Sequence, residues 1–351
     1  MMLAVHQRYG AVLAPDGIPL HYGDQAAELA AAREAAVLLD RSHEGRLSLA
    51  GRDRLALLQR MSTNDVAALQ PGQGAPTLLA TPTGRIIDRI MVYNRGDDVL
   101  VLTEPGRGEA VRTYVQRNIF FNDELFLRDL AGETRLFAVH GPHADAILHH
   151  VIPDWPTDAP FPGREAVIAG AEVFIGRIKP VSQAAWVVIA ASETAPAVYD
   201  ALVEAGARPA GSLTYNVLRI AAGRPGVGRE LSADYIPLEV GLWDEVSFTK
   251  GCYTGQEIIA RMESRGKLAK TIVQIALSAS VDAPAPLYAE SGRQVGTLTS
   301  SVSAPDGQHY GIGVVSLAFA EPGLTLTAGA GVSARILRRA GVQRADLSAD
   351  D

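Results

Sequence analysis

The side chains best placed for chemistry lie in Phe248-Thr249-Lys250-Gly251-Cys252-Tyr253-Thr254-Gly255-Gln256-Glu257, which holds the only cysteine of the chain. Gly251 and Gly255 flank Cys252, so the backbone there can turn tightly or approach a ligand closely. Thr254 and Glu257 have capping-box spacing, which predicts a helix starting just after Thr254 and stopping near Gly266. Ile258, Ile259 and Met262 would share its apolar face, and Glu257 and Arg261 are spaced for an i,i+4 ion pair. A cysteine at the positive end of a helix, two residues from Lys250, is biased towards the thiolate, the form that attacks electrophiles and binds metals. The plain alternative is a small residue that packs. The two readings start level; the glycines, the lysine and the helix start tilt the balance towards a reactive or ligand-touching thiol.

A second chemical candidate is Asp88, which interrupts the apolar run Ile86-Ile87 and Ile90-Met91-Val92. A carboxylate there must be exposed, paired or functional, because burying it alone costs several kcal/mol. The residue pattern by itself favours a solvated outward face. His140, His143, His149 and His150 invite a metal reading, but the first two straddle a Gly-Pro turn and no carboxylate–cysteine set completes a site, so no metal is expected. Gly223-Arg224-Pro225-Gly226-Val227-Gly228 follows a helical pattern and not a strand, which removes a dinucleotide reading. Arg261, Arg265, Lys267 and Lys270 could attract a phosphate, RNA or a polyglutamate tail, although a solvated helix end is the ordinary role of such a run.

These residues need a framework, and the composition supplies one. The 351 residues are enough for two or three domains, with 47% hydrophobic and 20% charged residues as in ordinary globular proteins. A net charge of −7 argues against a general nucleic-acid or membrane binder. One cysteine excludes an intrachain disulfide framework and a self-contained Fe–S cluster held by thiolates. Residues Met1 to Gly17 lack a basic-then-apolar leader, no stretch approaches a membrane span, and a cytoplasmic monomer is expected.

Along the chain, Asp24 is placed to cap a helix from Gln25 to about Leu39, with Leu29, Ala32, Ala36 and Leu39 inward. Arg46 to Ala50 alternates like a strand, Gly51 to Met61 is amphipathic, and Ser62-Thr63-Asn64-Asp65-Val66 is a polar break. Thr77 to Thr81 and Arg85 to Tyr93 flank Pro82-Thr83-Gly84 as a hairpin. Helices are expected at Arg107 to Arg117, after His140, and from Ala195 to about Ala205 under a Thr194 cap. Short strands with turn signals from Thr271 to Leu337 indicate a small all-β barrel, and residues 341–351 read as a disordered tail.

The stretch Lys-Gly-Cys-Tyr-Thr-Gly-Gln-Glu resembles the signature of the YgfZ family of folate-binding proteins, relatives of the glycine-cleavage T-protein. Ile236-Pro237-Leu238-Glu239 is similar to the same family. Gly84 to Asp88, Val37 to Arg46, the helix ending in Asn64-Asp65-Val66, and Leu218-Arg219-Ile220-Ala221-Ala222-Gly223 are similar to T-protein segments. The resemblance spans about Leu20 to Leu337. It implies an α+β, three-part T-protein-like fold, antiparallel sheets and helices around a central folate cavity, plus a C-terminal β-barrel. Its parts would be a discontinuous first domain (1–50 and 137–240), a second (51–136, with 241–268 beside it) and the barrel (269–340). It implies tetrahydrofolate or a one-carbon derivative (5,10-methylene or 5-formyl) as cofactor. Asp88, Cys252 and Lys250 would be the reacting and supporting groups, Lys250 keeping the thiol ionised. Asp88, Gln183, Arg219, Tyr253, Gln256 and Tyr93 would contact folate, and His43 lies in a matching segment as a ligand contact or a plain loop histidine. The implied role is accessory, supporting Fe–S cluster maturation or repair and tRNA modification, with Fe–S assembly proteins or enzymes as partners. Three positions depart from the T-protein pattern: Arg89 replaces a second Asp, Gln183 a Glu and Ala221 a Glu. They count against the alternative, a folate-dependent aminomethyltransferase; a scaffold that has lost folate is the remaining reading.

Overall fold

The computed structural model describes residues 1–155, 160–266 and 268–347. It is a mixed α+β fold with a closed six-stranded barrel near the C-terminus. The chain falls into two compact units, one made of Met1–Gln59, Asp65–Pro76 and Ile90–Tyr215, the other of Arg60–Asn64, Thr77–Arg89 and the chain from Asn216 onward. Two short segments of the first half are hydrogen-bonded within the barrel-bearing unit.

The first unit contains a six-stranded sheet in the order Gly163–Ile168, Ala171–Arg177, Ala185–Ala191, Thr134–His140, Val37–Asp40, Arg208–Ala210. The last pair is parallel and the other pairs of this sheet are antiparallel, as expected. Apolar side chains from the sheet and from helices Met2–Arg8, Ala144–Val151 and Ala195–Glu204 bury Phe137, Trp186 and Tyr199. Asp24 caps helix Gln25–Glu34 as expected, its carboxylate accepting Ala27 N–H at 2.9 Å. That helix stops at Glu34 and not at Leu39, because Val37–Asp40 pairs with Thr134–His140 instead. The ladder bonds and full burial of a central strand outweigh one more turn of helix. No side-chain bond from Thr194 caps Ala195–Glu204.

A five-stranded sheet runs in the order Gly74–Ala80, Ile86–Asn94, Asp98–Pro105, Glu44–Ala50, Phe126–Asp129.

The barrel order is Lys270–Leu277, His309–Ser316, Gln294–Ser303, Ala285–Tyr288, Thr325–Ala328, Val332–Arg339. Val273, Ile275, Leu287, Leu298, Val315, Leu326 and Ile336 form one of its buried apolar clusters. Gly313 leaves room there for the side-chain ends of Ile275 and Leu287, which would lie 2.8 and 2.9 Å from an added Cβ and would have to shift. Residues 341–347, expected in a disordered tail, are ordered instead. Val342 N–H donates to Gly241 at 2.9 Å, and the helical turn Arg344–Leu347 is tied to Glu263 through Arg344 at 2.9 Å. Residues 348–351 and Lys267 of the basic run lie outside the described residues. No helix of the described chain is long and apolar enough to cross a membrane.

Candidate functional site

Within the barrel-bearing unit three distant segments converge: 60–64, 77–89 and 245–256. Backbone bonds join them, Thr63 N–H to Leu78 O (3.0 Å), Ser247 N–H to Thr63 O (2.9 Å) and Thr254 N–H to Arg60 O (3.1 Å). Side-chain hydroxyls complete the weave. Thr63 Oγ1 donates to Glu245 O at 2.7 Å and accepts Leu78 N–H at 3.1 Å; Thr77 Oγ1 accepts Asn64 N–H at 2.8 Å. Ser62, Thr63 and Thr77 are fully buried, so these bonds satisfy groups that water cannot reach.

Asp88 lies in this weave on strand Ile86–Asn94, and it is buried at 2% exposure. The outward, solvated face favoured by the residue pattern is therefore corrected. Ile86, two residues earlier on the same strand face, belongs to an apolar cluster, and the Asp88 carboxylate accepts Arg89 N–H at 2.9 Å. Arg89 turns to the opposite face, where its guanidinium grips the fully buried Glu245 with two bonds of 2.7 Å. The positive charge that replaces the second T-protein aspartate is thus neutralised by a carboxylate from a remote segment.

Lys250 is also buried. Its ammonium donates to Ser62 O (2.8 Å) and Asn64 O (2.7 Å) and sits 5.0 Å from the centre of the Tyr253 ring. Two of its donors hold the 62–64 turn against the motif. Cys252 itself is exposed. Helix Gln256–Arg265 begins as expected and ends at left-handed Gly266, and Arg261 pairs with Glu257 at 2.7 Å. The Thr254–Glu257 capping box does not form. Gly255 is the cap residue at φ +86°, and the Thr254 hydroxyl is directed to Arg60 O at 3.5 Å. A Cβ on Gly255 would meet Thr81 O at 2.6 Å, so this position needs glycine for both conformation and space. Tyr253 is buried, and that burial pushes its phenol up to about 12. The Tyr253 hydroxyl and the Gln256 amide have no hydrogen-bond partner among the described residues, which leaves both available to a ligand.

The remaining candidates are placed elsewhere or otherwise engaged. Arg219 belongs to the same unit, but its guanidinium is held by Asn216 Oδ1 (2.8 Å), Ser300 Oγ (3.3 Å) and the buried Glu230 (3.6 Å), a structural network. Tyr93 belongs to the other unit. Its ring is enclosed by Gly74, Gly163 and Gly176, where an added Cβ would come within 2.4–2.6 Å, and its hydroxyl donates to Arg177 O at 2.6 Å. Enclosed and satisfied, Tyr93 packs in the interior of that unit. Gln183, in the same unit, is exposed in the turn before Ala185–Ala191 with φ +45°. The flanking Arg177 and Trp186 are cross-strand partners, the guanidinium 4.8 Å from the indole, and Trp186 Nε1 donates to Asp145 at 2.6 Å. His43 is half-buried, its Nδ1 has no hydrogen-bond partner, and burial, helped by the neighbouring Arg41 charge, lowers it to about 4. His140 is buried against Tyr215.

Sequence reasoning missed Glu245 and the carbonyls of Ser62 and Asn64. A signal for Glu245 existed: Arg89 in an apolar strand demands a carboxylate, and Asp244-Glu245 interrupts an otherwise apolar stretch.

Comparison with known proteins agrees with this architecture. Residues 2–250 match the family described as GCVT N-terminal domain. A chloroplastic protein of Arabidopsis thaliana that carries a provisional transferase name is 31% identical over 92% of this chain and 75% of its own length. An aminomethyltransferase of Geobacillus kaustophilus is 28% identical over 87% of this chain and 86% of its own. The crystal structure of the glycine cleavage system aminomethyltransferase T from Bartonella henselae shares the fold, with a TM-score of 0.82, 20% identity and 95% of both chains covered. On the match over residues 2–250 and the 31% identity to the Arabidopsis protein, the chain belongs to the GCVT N-terminal domain family of the aminomethyltransferase superfamily.

Proposed function

We propose that this chain is a cytoplasmic tetrahydrofolate-binding accessory protein of the YgfZ type, supporting maturation or repair of Fe–S clusters in partner proteins and, through them, tRNA modification. The observation that carries the reading is the motif itself: an exposed Cys252 on a loop tied down by Lys250, followed by a Tyr253 phenol and a Gln256 amide without protein partners. The donor set fits a reduced folate. A buried carboxylate suits the N–H groups of a pterin, and an aromatic ring with a free hydroxyl suits a flat, polar-edged body.

When bound, a reduced folate supplies a one-carbon unit carried on its N5 or N10. Asp88 would hold an N–H of the folate and fix its orientation. Lys250 is a positioning residue, keeping the 62–64 turn and the motif together. Cys252, being exposed, is reachable by a partner protein, and there it would serve as nucleophile or transient iron ligand. The Arg89–Glu245 pair leaves Asp88 without the second carboxylate of the T-protein pattern, which favours binding over aminomethyl transfer.

Titration with tetrahydrofolate tests the first half of the reading. Saturable binding lost in Asp88→Asn and kept in Cys252→Ser is expected; no binding to the wild-type chain removes folate. The second half is tested in cells, where Cys252→Ala should lower Fe–S enzyme activity while the protein still accumulates. A second reading, aminomethyl transfer, is favoured by the names of the relatives. Formation of methylenetetrahydrofolate from an aminomethyl donor by the purified chain would establish it and overturn the accessory role.

A further inference from the structure

A concavity of about 380 Å³ lies on the barrel, lined by Tyr235, Lys270, Gln294, Val295, Gly296, Thr297, Val314 and Ser316. The strand register builds it. Lys270 is the cross-strand partner of Ser316, and Thr297 that of Val314. Ser316 and Val314, two apart on one strand, share a face, so Lys270, Ser316, Val314 and Thr297 form one patch. Val314 packs with Ile272 and Tyr235 in an apolar cluster, which gives the patch a firm floor.

The polar lining holds an ammonium, three hydroxyls and one amide, with no carboxylate, and the Gln294 amide donates to Gly296 O at 3.4 Å. The hydroxyls of Tyr235, Thr297 and Ser316 have no hydrogen-bond partner among the described residues. Lys270 makes one long bond, 3.3 Å to Asp234 O, and lies 4.6 Å from the centre of the Tyr235 ring. The nearby carboxylates are already engaged. Glu239 pairs with Arg85 at 3.7 Å, and Glu230 is bound by Gly226, Ser300 and Thr299. Asp234 is the residue whose carbonyl draws both Lys270 and Arg85 to the rim, and its carboxylate faces Ser232 at 3.5 Å. A half-enclosed cluster of donors around one cation is matched by a ligand that accepts several hydrogen bonds and carries negative charge.

We propose that this concavity binds a small oxyanion, the carboxylate or phosphate of a metabolite, independently of the folate reading. Loss of the folate reading would leave it standing, since Asp88, Cys252 and Gln256 take no part. The test is calorimetric titration of the full chain with inorganic phosphate and, separately, with glutarate, at fixed ionic strength. Saturable one-to-one binding of at least one probe is expected. Lys270→Gln should raise Kd about tenfold or more and Thr297→Val about threefold, as befits one charged and one neutral donor. Thr297→Val keeps shape and strand preference, so it separates lost binding from lost folding. The tighter probe identifies the source as a phosphorylated or a carboxylated compound. Failure of both probes to saturate, or an unchanged Kd in Lys270→Gln, overturns the proposal.

Discussion

Removing the Glu245 carboxylate should destabilise the protein more than any single surface change. The Arg89 side chain is 10% exposed and that of Glu245 is 0% exposed, so water cannot replace the lost partner. Both bonds of the fork are 2.7 Å, the geometry in which a guanidinium and a carboxylate interact most strongly. In Glu245→Ala the guanidinium stays buried and loses both bonds of this fork, at a cost of about 3–5 kcal/mol. Replacing both partners, Arg89→Met with Glu245→Leu, removes the stranded charge and should return to within about 1–2 kcal/mol of the wild type. The coupling between the two sites, measured by a double-mutant cycle of urea unfolding followed by fluorescence, should be about 2–3 kcal/mol. A Glu245→Ala cost below about 1 kcal/mol, or a coupling of zero within error, would refute the argument that this pair locks the Asp88 strand to the motif.

Three further outcomes follow from the same geometry. His43 takes up a proton near pH 6.5 when unfolded but only near pH 4 when folded. Between those values the unfolded chain binds more protons, so stability falls as pH falls, by on the order of 3 kcal/mol across the window. An acid titration of unfolding should show this slope in the wild type and a flatter one in His43→Gln; equal slopes would remove His43 as the cause. Gly255→Ala should cost at least about 2 kcal/mol, because φ +86° and the 2.6 Å approach to Thr81 O both oppose a side chain; an unchanged urea midpoint would contradict it. Native Cys252 should take one equivalent of a thiol reagent at a rate within about tenfold of the denatured chain; protection beyond that would show the thiol to be shielded in solution.

The sequence made some features of the site legible and hid others for definable reasons. Lys250, Tyr253 and Gln256 stand out in the sequence because they share one contiguous motif, and Asp88 because a carboxylate in an apolar strand must be explained. The partners of Lys250 were hidden because they are backbone carbonyls, which every residue possesses. The enclosure of Tyr93 was hidden because the three glycines around it lie in separate strands and carry no joint pattern in the sequence. The helix after Asp24 was read too long because Ala36 and Leu39 continue its apolar spacing, and only sheet pairing ends it. The capping box failed because Gly255 takes a left-handed conformation that displaces Thr254 from the cap position. The barrel was legible as a class, since its strands are short and punctuated by turns, but the four-residue strands Ala285–Tyr288 and Thr325–Ala328 are too brief to show an alternation of their own.

The long loops closed by the central weave set an order of events in folding. Arg89 meets Glu245 across 156 residues, and Lys250 meets Ser62 across 188. Contacts of such separation are slow to form, because the entropy of closing the chain is lost before the contact rewards it. On a ribosome the hairpin bearing Asp88 and Arg89 emerges while Glu245 and Lys250 have yet to be made. During that interval the arginine lacks its carboxylate, and the hydroxyl of Thr63 lacks its acceptor. The motif is therefore a clasp that cannot shut until residue 250 has been made, and a nascent chain stalled near residue 240 would be exposed to proteolysis and aggregation.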